Sequence, residues 1–184
     1  MLLVLISNNL GFLWIGAEST TLATAFLVAY YERESSIEAA WKYVIICSVG
    51  IALALFGIIL TYFSALHVVS SESTALNWTT LIAVAKQLNP DILKLAFVFV
   101  LVGFGTKAGL APMHTWKPDA YSEAPAPISA LMAAGLVNVA LYALLRFYIL
   151  VNKAVDGGFA PTLFLIFGLL SMGIAVPFIL VQRD

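Results

Sequence analysis

Residues 94–116 read KLAFVFVLVGFGTKAGLAPMHTW, a strongly apolar helix that runs into a helix-breaking proline. The apolar run from Leu95 to Val102 suits hydrocarbon, and Lys107 follows it in the same predicted helix. Pro112 lacks the amide that would bond the carbonyl of Ala108, and its ring would clash there, so a continuous helix through both residues is costly. The stretch therefore predicts a membrane helix that is discontinuous or sharply kinked, with a lysine beside the break.

The composition is that of a membrane protein. Of the 184 residues, 62% are apolar and 10% are charged, whereas roughly 25% are charged in a typical soluble domain. The formal charge of -1, without a basic block, argues against nucleic-acid binding. Two histidines and one cysteine cannot build a haem, iron–sulfur or zinc site, so we expect no metal and no cofactor. Any redox chemistry would lie elsewhere, and whether the chain is part of an enzyme stays open.

The hydropathy pattern predicts an all-α fold, a polytopic transmembrane helix bundle of about five spans with one discontinuous helix. A single transmembrane domain would cover residues 1–184. Residues 78–88 suit an interfacial helix, and prolines at positions 118, 125 and 127 predict an irregular segment after the third span. The predicted spans are 2–31, 41–67, 91–110, 128–151 and 161–181.

Two ionisable residues lie deep in predicted spans, where a charge costs from about 2.5 to more than 10 kcal/mol and marks a candidate site. Glu18 lies roughly 24 Å along the helix axis from Leu2, near the middle of the membrane. Burial favours its neutral form and a nearby cation favours its ionised form, so it could exchange a proton. Lys107 precedes a helix break, and transporters build ion sites at such breaks. The alternative is a static Glu18–Lys107 salt bridge that only fixes helix packing.

Four further polar residues lie in or near the spans. His114 could pass a proton on from Lys107 as a neutral imidazole, or it could be a hydrogen-bonded packing residue. Asn138 can orient a water or a neighbour but cannot store a proton. Lys42 and Arg146 lie close to the ends of predicted spans, so their side chains could extend towards the lipid headgroups. This is the alternative to a functional role for either residue.

The segment after the break is also charged. Lys117, Asp119 and Glu123 predict a wetted loop that closes one end of the path, with a direct role as the less favoured alternative. Gly105 and Gly109 form a G-x-x-x-G pair that predicts close helix packing, although such pairs often arise by chance.

Three stretches resemble one family of membrane proteins. Residues 105–125, GTKAGLAPMHTWKPDAYSEAP, resemble the broken-helix signature of the antiporter-like subunits of respiratory NADH dehydrogenases, membrane-bound hydrogenases and multisubunit (Mrp) cation/proton antiporters. Residues 14–22, WIGAESTTL, and residues 144–147, LLRF, are most similar to the F-subunit branch of hydrogenase-4 and formate hydrogenlyase-type complexes. The resemblance covers essentially the whole chain.

The resemblance implies roles for individual residues. Glu18 matches the family's essential buried glutamate, Lys107 the broken-helix lysine with which it pairs, and His114 a histidine of the hydrophilic axis. Lys42 matches a sixth-helix lysine less securely, and Asn138 stands where quinone-reducing relatives carry a second lysine. Family members have about fourteen helices in two inverted five-helix repeats, so the chain corresponds to about helices five to nine, an internal fragment.

The resemblance also implies a function, proton translocation driven by redox energy from partner subunits. The expected partners are other membrane subunits, a soluble redox arm, the lipid bilayer and protons, with Na⁺ as an alternative ion. The implied location is the plasma (inner) membrane of a prokaryote, with residues 32–38 and 112–125 on the cytoplasmic side. Two alternatives remain open, a sodium/proton antiporter subunit and a passive membrane scaffold.

Overall fold

The computed structural model describes residues 1–69, 71–155 and 157–181, and its secondary structure in these ranges is helical apart from an isolated antiparallel β-bridge between Asn9 and Asn77. A π-helical turn lies at Met132–Leu136, and 3₁₀ turns lie at Ala29–Tyr31, Glu72–Thr74 and Ala85–Gln87. The predicted all-α fold is confirmed. The helices are α1 (Leu2–Ile6), α2 (Leu10–Val28), α3 (Glu34–Ala65), α4 (Trp78–Val84), α5 (Pro90–Ala108), α6 (Trp116–Glu123), α7 (Ala126–Leu131), α8 (Val137–Ala154) and α9 (Phe159–Val181).

Helices long enough to cross a bilayer make up most of the chain, which is an integral membrane protein. Helix α5 has 19 residues, roughly 28 Å at 1.5 Å per residue, and it carries the charged residues Asp91, Lys94 and Lys107. The predicted helix bundle is confirmed, with four strongly apolar spans and α5 packed among them. Those four spans are Leu10–Tyr31, Glu34–Ala65, Ala126–Ala154 and Phe159–Pro177.

Helices α3 and α5 form the centre of the bundle, and glycines allow their backbones to approach closely. A Cβ atom on Gly103 would lie 2.6 Å from the amide nitrogen of Ala54, and one on Gly57 would lie 2.6 Å from a carbonyl oxygen of α5. The predicted pair is not the point of contact, because Gly105 faces Leu110 of its own segment. Gly109 instead ends α5.

The first predicted span, 2–31, is not one helix. Helix α1 ends at Ile6, and the side chain of Asn9 then caps α2 by accepting a hydrogen bond from the Gly11 amide at 2.8 Å. Because α2 begins at Leu10, Glu18 lies roughly 12 Å into the helix and not 24 Å. Glu18 is nevertheless near the middle of this 19-residue helix.

The segment after the break is more regular than predicted. Pro118 is the third residue of α6, where backbone amides have no partner inside the helix and proline is tolerated. Residues 117–123 therefore form a helix and not the predicted loop, and Trp116 and Ala120 anchor α6 with fully buried side chains. Helix α4 occupies the predicted interfacial segment, and its Leu81 is fully buried in the core of the bundle.

Candidate functional site

The break after α5 is made by a glycine. Gly109 adopts φ 81°, a left-handed conformation that favours glycine. The Leu110 amide donates to the carbonyl of Gly105 at 2.8 Å, and the Gly109 amide donates to the carbonyl of Thr106 at 3.1 Å. This pair of bonds is the Schellman motif that ends helices. The helix stops before it reaches Pro112, which follows in a turn.

Side chains from α6 also bond carbonyls at the end of α5. The Trp116 indole Nε1 donates to the carbonyl of Thr106 at 2.9 Å, and the Lys117 Nζ donates to the carbonyl of Ala108 at 3.2 Å. Burial lowers the pKa of Lys117. Lys117 therefore places a cation against an exposed carbonyl at the end of α5. Lys107, which the sequence places beside the break, bonds elsewhere.

Lys107 is enclosed by protein, as predicted. Its side chain has no exposed surface, and its ammonium group donates a hydrogen bond to the hydroxyl of Thr21 on α2. No pair between Lys107 and Glu18 occurs among the ion pairs of the described residues, which join Lys42 to Glu38, Lys42 to Asp119, and Lys94 to Asp91. The geometry therefore lacks the static Glu18–Lys107 salt bridge that the sequence left open.

Glu18 lies on the same face of α2 as Thr21, which follows it by three residues. Its Oε1 accepts a hydrogen bond from the Ser48 hydroxyl of α3 at 3.0 Å. Its Oε2 is buried and finds no hydrogen-bond partner within the described part of the chain. A buried oxygen without a partner is costly, so Oε2 is an unsatisfied polar atom of this site.

Two hydroxyl groups extend this polar region along α2 and α3. The Tyr43 hydroxyl is 2.7 Å from the Thr24 hydroxyl, and Thr21 is a second polar neighbour of Tyr43. The Tyr43 ring packs against Trp116 with ring centroids 4.8 Å apart. We call this set the polar column: Glu18, Thr21, Thr24, Tyr43, Ser48 and Lys107.

Sequence reasoning missed Tyr43 and Ser48 as members of this region. The signal was present on α2, where Glu18, Thr21 and Thr24 recur at three-residue spacing and so share one face. On α3 the two residues are single polar positions in an apolar run, and only the packing of α3 against α2 reveals them.

His114 lies in the turn between α5 and α6. Its Nδ1 is buried and has no hydrogen-bond partner in the parts of the chain described, and its backbone carbonyl accepts from the Lys117 amide at 2.9 Å. The hydrogen bond of Lys107 runs to Thr21 and not to His114. The role of His114 in proton transfer stays a prediction.

Asn138 and Arg146 lie apart from the polar column. Asn138 is exposed on α8 and donates to the carbonyl of Ala134, in the π-helical turn, at 2.7 Å. The Arg146 guanidinium donates to the carbonyl of Ser7 and stacks on Trp78 at 5.2 Å. Arg146 thus holds the junction between α1 and α2.

Lys42 lies in the third turn of α3, because that helix begins at Glu34 and not at Trp41 as predicted. Its ammonium is 2.8 Å from Glu38 and 3.0 Å from Asp119 of α6, so it is ion-paired at the protein surface. The Ser35 hydroxyl donates to Glu123 at 2.8 Å. These contacts join α3 to α6 around an open polar pocket of about 190 Å³, lined by Ser35, Glu38, Ala39, Lys42, Asp119, Ser122 and Glu123.

The family follows from comparison with known proteins. Residues 7–184 match the family described as "NADH:quinone oxidoreductase/Mrp antiporter, TM". The chain belongs to this family. It is 44% identical over 184 residues to the hydrogenase-4 component F homolog of Methylacidiphilum infernorum (isolate V4), covering 100% of the chain and 39% of that relative. It is 32% identical over 173 residues to NADH-quinone oxidoreductase subunit N of Myxococcus xanthus, covering 94% of the chain and 32% of that relative.

Solved structures of family-like subunits share the fold. A chain of the membrane-bound sulfane sulfur reductase, an archaeal respiratory membrane complex, has a TM-score of 0.76 and 26% identity over 87% of this chain and 31% of its own length. A chain of respiratory complex I from Thermus thermophilus has a TM-score of 0.75 and 27% identity over 99% of this chain and 37% of its own length. The family resemblance inferred from the sequence is confirmed. The chain spans 39% and 32% of the length of the two curated relatives.

Proposed function

We propose that this protein translocates protons as an antiporter-like membrane subunit of a hydrogenase or NADH:quinone oxidoreductase-type complex. Glu18 and Lys107 exchange protons beside the broken helix. One observation carries the proposal: Lys107 is fully buried, yet its ammonium group bonds a neutral hydroxyl and, among the described residues, no carboxylate.

The physical basis is the cost of a buried charge. An ammonium group out of water without an ion-pair partner is destabilised, so its neutral form is accessible. A negative charge on Glu18, one turn away on α2 from the Thr21 that Lys107 binds, favours the ammonium form. When Glu18 is protonated or moves away from Lys107, the ammonium form of Lys107 loses that stabilisation and releases its proton. His114 is the proposed acceptor, because its buried Nδ1 has no hydrogen-bond partner among the described residues.

The partners and location are part of the same proposal. Redox energy enters from other membrane subunits and a soluble redox arm, because the relatives named above are components of respiratory or hydrogenase complexes. The chain lies in the plasma (inner) membrane of a prokaryote, with residues 32–38 and 112–125 on the cytoplasmic side. It is an internal part of a fourteen-helix subunit, about helices five to nine.

The test uses the full-length parent protein in its complex, reconstituted into vesicles. Glu18→Gln and Lys107→Met should each abolish proton uptake while the complex assembles as in the wild type. Lys94→Met is the matched control, because Lys94 is on the same helix but is paired with Asp91 at 3.1 Å on the surface. If both variants take up protons as the wild type does, the protein is a passive scaffold. If proton transport depends strictly on Na⁺, the protein is a sodium/proton antiporter subunit.

A further inference from the structure

The polar column does not end at Lys107. We propose that the hydroxyl groups of Thr21, Tyr43 and Thr24 carry protons between Lys107 and the polar pocket at Lys42 and Asp119, with Tyr43 as a proton-transfer residue. The inference rests on the proposed function, since it names the route that connects Lys107 to the water-exposed edge.

The order of contacts along the helices supports this direction. Helices α2 and α3 pair Glu18 with Ser48 and then Thr24 with Tyr43, so the column advances towards the start of α3. The Tyr43 side chain is fully buried, so its hydroxyl lies inside the protein.

The pocket begins one turn beyond Tyr43. Ala39 lines the pocket and precedes Tyr43 by four residues, which places both on one face of α3. The Ala39 side chain is small, and the proposed route passes beside it from the column to the open pocket. Trp116 covers the other side of Tyr43 and is itself fully buried.

Hydroxyl groups can perform this transfer because each donates one hydrogen and accepts on its lone pairs. An N–H bond of the Lys107 ammonium breaks as an O–H bond forms at Thr21, whose own proton moves to the Tyr43 oxygen. Tyr43 passes its original proton to the Thr24 hydroxyl, and the original proton of Thr24 passes to a water molecule entering from the pocket. Lys107 is left as a neutral amine, each hydroxyl regains one proton, and one proton reaches water.

A purely structural role for Tyr43 can be separated from this one. Tyr43→Phe keeps the ring that packs on Trp116 and removes only the oxygen atom. It also leaves Thr24 satisfied, because the Thr24 hydroxyl still donates to the carbonyl of Thr20 at 2.7 Å. The variant should therefore fold and assemble.

The experiment measures proton uptake by vesicles that contain the full-length parent complex, in H₂O and in D₂O. Tyr43→Phe should slow uptake by at least about tenfold and change the solvent isotope effect, as expected when a proton-transfer group is lost. Thr24→Val should do the same, and Thr24→Ser should restore uptake. Tyr142→Phe and Thr61→Val are the matched controls, because both remove hydroxyls that bond backbone carbonyls outside the polar column.

The outcomes separate the two proposals. If Tyr43→Phe and Thr24→Val transport as the wild type while Lys107→Met is inactive, the hydroxyl route is wrong and the proposed function stands. If Lys107→Met and Glu18→Gln also transport normally, the proposed function fails as well. Should Tyr43→Phe not assemble, the comparison of Thr24→Val with Thr24→Ser gives the answer.

Discussion

The Lys107 ammonium donates to the hydroxyl of Thr21, which lies three residues after Glu18 on α2. Glu18 accepts instead from Ser48 on α3 at 3.0 Å. The acid and the base are therefore each held by a neutral hydroxyl and are not locked to one another. Thr21 is thus the residue that sets the position of the lysine.

Replacing Thr21 tests this arrangement. Thr21→Val keeps the side-chain shape but leaves the buried Lys107 ammonium without its hydrogen-bond partner, at a cost of about 1–3 kcal/mol. We expect a lower thermal midpoint and slower proton uptake. Thr21→Ser, which retains the hydroxyl, is the control and should behave nearly as the wild type. Equal midpoints and equal uptake rates for the valine and serine variants would contradict a role for this hydrogen bond.

Gly109→Ala tests how the break is made. A left-handed conformation costs an L-residue roughly 1–2 kcal/mol, and the new Cβ atom would also lie 2.6 Å from the Lys117 side chain. We expect destabilisation and displacement of Lys117 from the end of α5, measured by thermal unfolding. Gly157→Ala is the matched control, since its φ of 97° is also left-handed but nothing lies within 4 Å. Equal losses at both positions would mean that the contact with Lys117 does not matter.

Much of the fold was predictable because hydrocarbon imposes a simple rule on sequence. Apolar runs of about 20 residues must form helices in a membrane, and this rule located the third, fourth and fifth spans to within about three residues at each end. Helix α3 begins at Glu34, well before the predicted Trp41. The same rule also singled out Lys107 as a charge that protein must enclose. The large error was the first span, where Asn9 caps a new helix within an otherwise apolar stretch.

The partners of the buried residues could not be predicted in the same way. Which residue of α2 faces Lys107 depends on how α2 and α5 are placed against each other, and no local pattern encodes that placement. The break was also expected at Pro112, whereas Gly109 ends α5 before Pro112 is reached. Pro118 shows the converse, because it is accommodated in the first turn of α6.

Gly103→Ala tests the close contact between α3 and α5. The added Cβ atom would lie 2.6 Å from the Ala54 backbone, and overpacking of this kind costs about 1–3 kcal/mol. We expect a lower thermal midpoint in detergent. Gly168→Ala is the control, because nothing lies within 4 Å of that position and alanine favours a helix. A midpoint for Gly103→Ala as high as that of Gly168→Ala would show that the two helices can separate freely.

Lys117 should make stability depend on pH in the alkaline range. Burial lowers the pKa of Lys117 from 10.5, so its ammonium form carries a folding cost at all pH values below the folded-state pKa. That cost is relieved as the pH rises through the lowered pKa towards 10.5, and the neutral amine can still donate to the carbonyl of Ala108. Relative to Lys117→Met, the wild type should therefore gain thermal stability as the pH rises across this window. The gain should be small because Lys117 is only half-buried. A difference between wild type and Lys117→Met that falls with pH would contradict the assignment.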